Sequence, residues 1–351
     1  MGDSRSENNP VHLSILDQSP IISGHTPQQA VHETIKLAQA AEKLGYHRYW
    51  LAEHHSLAAL GDPCPEILVT RVAAATSTIR VGTGGVLLPY YSPLKVAEQF
   101  RMLEALYPGR IDLGIGRAPG GDQMTALAMG EGRYPGAEHF PEQVQYLAAY
   151  LDDSLPPEHP FAGVKAMPAG PGAPEVWLLG SSDYSGALAA QLGLRFAFAH
   201  FINAQGGDAV MREYKRRYQP SSREPAPRTL LCVFVICAGT AGEAEGLAAS
   251  IDLRRLNTDR GVNVPVPNRE EAAAFQYTEE DRRRIAHHRR RVVLGTPSVA
   301  RERLLELAAG YEADELMVIT ITGDYPSRLR SYELLAEAFE LRARARAPSA
   351  D

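Results

Sequence analysis

Residues 79–116 read IRVGTGGVLLPYYSPLKVAEQFRMLEALYPGRIDLGIG, and the order of signals within them sets the architecture. Ile79–Val86 is an apolar run, a strand. Ser92-Pro93 supplies an N-cap and a proline at the first helical position. The helix that follows ends near Tyr107-Pro108-Gly109, and Arg110–Ile115 is a further strand. A strand, a crossover helix and a second strand place the two strands parallel in one sheet.

The same rhythm extends both ways. Upstream, Val11–Leu16 is a strand, Thr26-Pro27 opens a helix that Gly45 stops, Tyr46–Ala52 is a strand and Pro65–Thr76 a helix. Downstream, Ala137–Leu151 is helical. Glu175–Leu179, Arg195–Ala199 and Thr229–Ala238 are strands, with helices near Ser182–Leu192, Gly206–Tyr218 and Gly242–Leu256. Thr296-Pro297 caps another helix, Glu315–Ile321 is the eighth strand, and Ser327–Arg346 closes the chain. Eight strands each followed by helix, with no composition break, predict an α/β chain forming one (β/α)8 TIM barrel over residues 11–346. A doubly wound sheet fits this spacing less well.

Three segments exceed ordinary loop lengths: 116–136, 152–174 and 257–291. The middle one carries Pro156, Pro157, Pro160, Pro168, Pro171 and Pro174, an extended surface crossing. By strand count the other two leave strands four and seven at the face where barrel active sites sit. They are lid candidates, the insertion at about 257–291 above all, with Asn257, Asp259, Gly261 and Asn263 as turn and hinge residues.

Composition narrows the function classes. The 351 residues hold 36 Lys+Arg against 42 Asp+Glu, a net charge of −6, which argues against nucleic acid or anionic membrane as partner. With 44% hydrophobic and 22% charged residues, bulk disorder is excluded. No run of about 18 apolar residues marks a membrane span. The start, MGDSRSENNP, lacks a signal peptide's apolar core and reads as a disordered tail over 1–10; Gly2 with Ser6 matches a myristoylation site only faintly. Cys232 and Cys237 lie in the apolar run LLCVFVICA, and with Cys64 make no disulfide framework, so a reducing cytoplasm is expected.

Chemistry gathers at strand ends. Glu53-His54-His55 follow the second strand, where histidine can act as general acid or base, or simply pack on the rim. They lack the spacing of a metal site, and none is expected. Gly82-Thr83-Gly84-Gly85 interrupts the third strand, either as a bulge or where a ligand meets the backbone. Gly114-Ile115-Gly116-Arg117-Ala118-Pro119-Gly120-Gly121 is no dinucleotide fingerprint, because Pro119 takes the third glycine's place; it leaves an arginine suited to a phosphate. Gly180-Ser181-Ser182 precedes a helix and is either an anion site or a plain N-cap. Asp17, Gln18 and Ser19 also reach that face. The run Arg282–Arg291, six arginines in ten residues, reads as the solvated face of a lid helix.

WLAEHH at 50–55, VGTGGVLLP at 81–89, GRIDLGIGRAPG at 109–120, LLGSS at 178–182 and VLGTP at 293–297 resemble the bacterial luciferase-like flavin monooxygenases. LDQSPI from residue 16 and YYSPLKVAEQF at 90–100 are similar to the subset with actinomycete polyketide-tailoring monooxygenases. The resemblance spans nearly the whole chain. It implies a barrel that binds reduced FMN from a separate NAD(P)H:flavin reductase, activates O2 as a C4a-(hydro)peroxyflavin, and hydroxylates or epoxidises a hydrophobic small molecule. It further implies a homodimer, catalysis by His54 with Glu53 and His55 beside it, and flavin contacts from Thr83, Gly84, Gly85, Arg117, Ser181 and Ser182. A non-prolyl cis peptide is implied at Gly84-Gly85. Luciferase has a reactive cysteine just before its phosphate arginine; Gly116 stands there, which removes that thiol's chemistry. A deazaflavin-dependent dehydrogenase or reductase on the same barrel, or a non-catalytic flavin-binding subunit, are the alternatives.

Overall fold

The computed structural model describes residues 11–133 and 136–343. In chain order the elements are β1 (His12–Asp17), α1 (Pro27–Leu44), β2 (Arg48–Leu51), α2 (Pro65–Ala75), β3 (Arg80–Leu87), α3 (Pro93–Leu106), β4 (Ile111–Gly116), α4 (Gln123–Met129) and α5 (Phe140–Asp152). They continue with β5 (Glu175–Gly180), α6 (Asp183–Gln191), β6 (Arg195–Ala199), α7 (Gly207–Arg217), β7 (Thr229–Cys237), α8 (Ala241–Asp259), α9 (Arg269–Ala274) and α10 (Glu279–Arg289). The last are β8 (Val292–Gly295), α11 (Pro297–Gly310), β9 (Glu315–Ile319) and α12 (Tyr325–Ala338). The expected tail 1–10 with Gly2, and the chain end from 344, including Arg346, lie outside the described residues.

All strand pairs are parallel. β1 to β7 follow one another around a barrel that β9 closes between β7 and β1. Caps set the helix starts: Thr26 and Gln29 form a capping box on α1, and Ser92 accepts from the Lys95 amide at α3. Side chains alternate as a pleated strand requires. Leu13, Ile15, Tyr49, Val81, Leu113 and Leu178 face the helix ring; Leu16, Trp50, Trp177, Cys232 and Met317 fill the interior.

The N-terminal end of the barrel is plugged with charge. Arg48 donates to Asp112 at 2.7 Å and Glu315 at 2.8 Å, Trp50 Nε1 donates to Asp112 at 2.8 Å, and Arg80 Nε reaches Asp112 at 2.9 Å. Burial opposes ionisation of Asp112, but the Arg48 and Arg80 guanidinium groups beside it hold its carboxyl below the usual range. Space for a ligand is left at the other end.

One strand departs from expectation. Val292–Gly295 was expected only as part of a motif, yet it pairs with Phe234–Cys237 of β7. Phe234 also pairs with Ile319 of β9, so β8 occupies the other edge of β7, just past the last residues of β6. The expected excursion 257–291 is therefore the outer part of a longer departure that leaves β7, runs through α8, α9 and α10, and returns along β7. Leu247, Ala248 and Ile251 of α8 pack in one cluster with Phe234, Ile319 and Met317, so α8 packs against the C-terminal ends of β7 and β9. The 152–174 segment holds no helix or strand beyond the end of α5, as its prolines predict, and Arg101 of α3 pins its start through the carbonyl of Leu151 at 2.8 Å.

Candidate active site

A cavity of about 660 Å³ opens at the C-terminal end of the barrel, within the size range of sites for cofactors and small molecules. Its walls come from inward-facing positions at the strand ends. Leu16 and Gln18, Trp50 and Ala52, Gly84, Gly116, Leu179, Ala197 and Ala199, and Met317 all line it. Small residues after β2 and on β3, β4 and β6 line it together with Leu16, Leu179, Leu230 and Met317.

Strand parity continues past the end of β2. His54, in step with Trp50 and Ala52, lines the cavity. It is partly accessible, and its Nδ1 is buried without a partner. Burial, then the charge of Arg254, push its pKa down to about 4, although a backbone contact with Ala52 works the other way. The ring is therefore neutral at neutral pH, with one nitrogen available as acceptor.

Glu53 and His55, on the alternate parity, do different work. Glu53 Oε1 accepts from Tyr91 Oη at 2.6 Å and contacts His55 Nε2 at 2.8 Å; Oε2 accepts from the Leu87 amide at 2.9 Å. The carboxylate borders the cavity but is committed to its neighbours. His55 does not line it. Its backbone N–H instead donates to the Gly120 carbonyl at 2.9 Å, and Tyr90 Oη donates to Pro119 at 2.8 Å. These bonds hold the loop that carries Arg117. Of the two residues expected beside His54, the structure therefore places Glu53 at the cavity border with its carboxylate engaged and His55 behind it.

Gly84 and Gly85 line the cavity, and the peptide between them is cis. Neither position has room for a side chain: a Cβ on Gly84 meets Leu16 Cδ1 at 2.7 Å, and one on Gly85 meets the Gly114 carbonyl oxygen at 2.7 Å. Thr83, expected among the flavin contacts, lies outside the cavity lining. It falls between two inward positions, is buried in the wall, and donates its hydroxyl to the Gly114 carbonyl at 3.0 Å.

Arg117, Ser181 and Ser182 meet where β4 and β5 end. Arg117 is exposed, with its guanidinium 4.3 Å from the ring centroid of Tyr184 in the first turn of α6. Among the described residues no carboxylate pairs with it. Ser182 is the N-cap of α6, but its side chain makes no capping bond. A free arginine, a free N-cap hydroxyl and a helix start together suit a phosphate. Of the other expected residues on this face, Asp17 is consumed by an ion pair with Arg328 at 2.6 Å, and Gln18 lines the cavity. Sequence reading missed Phe201, Ile202 and Cys232 in the lining. Cys232 and Met317 were findable from parity, since each continues an inward series; Phe201 and Ile202 follow β6 with no local signal. Burial pushes the Cys232 thiol up, so it stays protonated.

A family model, luciferase-like monooxygenase, matches residues 11–313. The chain belongs to that family. Family members are flavin-dependent oxidoreductases, and this chain is one of them. It is 48% identical to the uncharacterised protein YceB of Bacillus subtilis over 94% of this chain and 99% of the relative. It is 37% identical to N-acetyl-S-alkylcysteine monooxygenase of Bacillus subtilis over 93% of this chain and 98% of that protein. Among solved structures, apo-MsnO8 superposes with a TM-score of 0.86 at 41% identity, covering 95% of this chain and all of MsnO8. Among the described residues no helix is long and apolar enough to cross a membrane, and no cluster of side chains fits a metal ion.

Proposed function

We propose that this luciferase-like monooxygenase binds reduced FMN, delivered by a separate NAD(P)H:flavin reductase, and uses O2 to hydroxylate or epoxidise a hydrophobic organic molecule of the secondary-metabolite kind. The observation that carries the reading is the order of groups around one mouth: His54 after β2, Gly84-Gly85 in β3, Arg117 after β4, Ser181 and Ser182 after β5. These residues fit FMN. Arg117 and the uncommitted Ser182 match a phosphate, and a Cβ on Gly116 would meet nothing nearer than Leu87 Cδ2 at 3.9 Å, so the missing side chain leaves cavity space.

When bound, reduced FMN supplies the two electrons needed to activate O2. The chain's own residues bind and orient. Arg117 and the start of α6 would hold the phosphate, Gly84 and Gly85 would let the flat ring approach the backbone, and neutral His54, which lines the cavity, would serve as a proton acceptor beside it. Glu53 fixes the end of β3 and, through His55, the Arg117 loop. α8 packs on the β7 and β9 ends beside the cavity. Phe201, Ile202, Leu179 and Met317 present an apolar surface to the substrate.

The test is anaerobic titration with reduced FMN, then an oxygen pulse followed by stopped-flow absorbance. The reading expects tight binding and a delay before oxidised-flavin absorbance returns. Reoxidation at the rate of free reduced FMN, or no binding, overturns it; the second outcome with binding of a deazaflavin favours hydride transfer instead. The exposed apolar side chains Ile67, Met102 and Leu106 on α2 and α3 support a homodimer through that face, to be checked by light scattering. The cysteines Cys64, Cys232 and Cys237 are unpaired, which fits a cytoplasmic enzyme.

A further inference from the structure

α8 carries two arginines that no described residue pairs with, although the charge of Asp252 acts on Arg255. Ile251 packs in one cluster with Phe234 and Ile319 near the C-terminal ends of β7 and β9, and residues three and four positions later share its helix face, so Arg254 and Arg255 lie on that face, beside the cavity lining rather than in it. The Arg255 guanidinium lies 4.7 Å from the Phe234 ring centroid, and the charge of Arg254 is felt at His54. Among the described residues neither guanidinium makes an ion pair or hydrogen bond, and Nε of Arg254 and Nη1 of Arg255 are buried without a partner. Burial lowers both to about 10, and for Arg255 the charge of Arg291 adds to the effect.

The nearby acid, Asp252, is bonded elsewhere through its Oδ2, while its Oδ1 has no hydrogen-bond partner. Asp252 accepts from Arg289 at 2.6 and 2.9 Å, and Arg289 also pairs with Glu245. Arg291 adds positive charge at the same edge by donating to the carbonyl of Ile202, a cavity residue. So the arginine run expected to face solvent does so at Arg282, Arg283 and Arg284, while Arg289 and Arg291 turn inward to these contacts. A buried cation without a counter-ion is costly, and a protein that keeps two of them side by side is arranged for an anion that arrives. Both arginines retain partial accessibility, which gives such an anion a way in.

We infer that Arg254 and Arg255 form an anion subsite for the organic substrate, so that the substrate is amphiphilic, with its apolar body in the cavity and a carboxylate, or a comparable acidic group, on α8. This rests on the monooxygenase reading above. The flavin phosphate is the other possible source of that anion, and the test separates the two.

The probes are octanoate, octanesulfonate and neutral octanamide, titrated into FMN-loaded and FMN-free protein and followed by tryptophan fluorescence, since Trp50 lines the cavity. The expected result is at least tenfold tighter binding of an anionic probe than of octanamide. Arg254→Met and Arg255→Met each lose that advantage tenfold, keep octanamide binding and keep FMN affinity within twofold. Arg254→Lys retains part of the advantage, which guards against a merely misfolded variant. Equal binding of octanoate, octanesulfonate and octanamide, no binding of any anionic probe at millimolar concentration, or variants that still prefer the anion overturn the proposal. A fall in FMN affinity in the variants also overturns it, and gives the arginines to the flavin phosphate. If FMN itself fails to bind while the anionic probes still discriminate, the flavin reading falls and the subsite stands.

Discussion

Replacing His54 by glutamine removes a group whose protonation the fold opposes, and the pH dependence of stability reports how strongly. The imidazole pKa falls from 6.5 to about 4 on folding, through burial first and the Arg254 charge second. In the window between those values the unfolded chain binds a proton that the native chain refuses, so stability rises with pH. The contribution of neutral His54 is fully present above about pH 6.5 and is lost as pH falls toward 4. At about 1.4 kcal/mol per pKa unit, the wild type should lose about 2.5 kcal/mol relative to His54→Gln between pH 8 and pH 4.5. Urea unfolding of both proteins across that range measures the difference, and the carboxylates they share cancel. A difference that stays constant within about 0.5 kcal/mol would refute the buried, neutral histidine.

Arg117→Ala should weaken FMN by about ten- to a hundredfold, the worth of charge-assisted hydrogen bonds, and leave riboflavin unchanged; calorimetry showing equal losses for both ligands rejects the phosphate assignment. Gly85→Ala places a methyl 2.7 Å from the Gly114 carbonyl and should cost about 1–3 kcal/mol together with FMN binding; unchanged melting and unchanged affinity would show that β3 and β4 yield there. Arg48→Met takes the guanidinium from Glu315 and leaves Asp112 with Arg80 and Trp50 only, and should destabilise by about 3–5 kcal/mol. A loss under 1 kcal/mol in denaturant melts would mean the network is not what closes that end.

Much of the architecture was legible because it is written in local signals. Thr26-Pro27, Ser92-Pro93 and Gly45 set helix limits by backbone chemistry alone, and the eight barrel strands announced themselves as apolar runs between them. β8 was missed for a physical reason: four residues between an arginine run and a Thr-Pro cap carry too little pattern, and only the free edge of β7 makes them a strand. In the site, parity was the underused signal. His54 follows Trp50 and Ala52 inward, while His55 and Thr83 fall outside the lining and Glu53 reaches it only at its border. Arg254 and Arg255 were invisible as a pair, because on an amphipathic helix an arginine without an acid looks like any solvated residue until the packing of Ile251 shows where that face points.

The segment between β7 and β8 begins and ends on the same strand. Ala238 donates to the Gly295 carbonyl at 3.1 Å, so the two ends stand as close as paired neighbours, and between them the segment meets the loops after β1 and β2, where Ser23 donates to the Val266 carbonyl at 2.8 Å and the Ala58 amide to Asn263 at 2.8 Å. Such a segment behaves as a cassette. Its length and surface can change without moving the seven other strands, and exchanging residues 239–294 between two family members should carry across whatever molecule each one accepts, while the host barrel keeps its flavin.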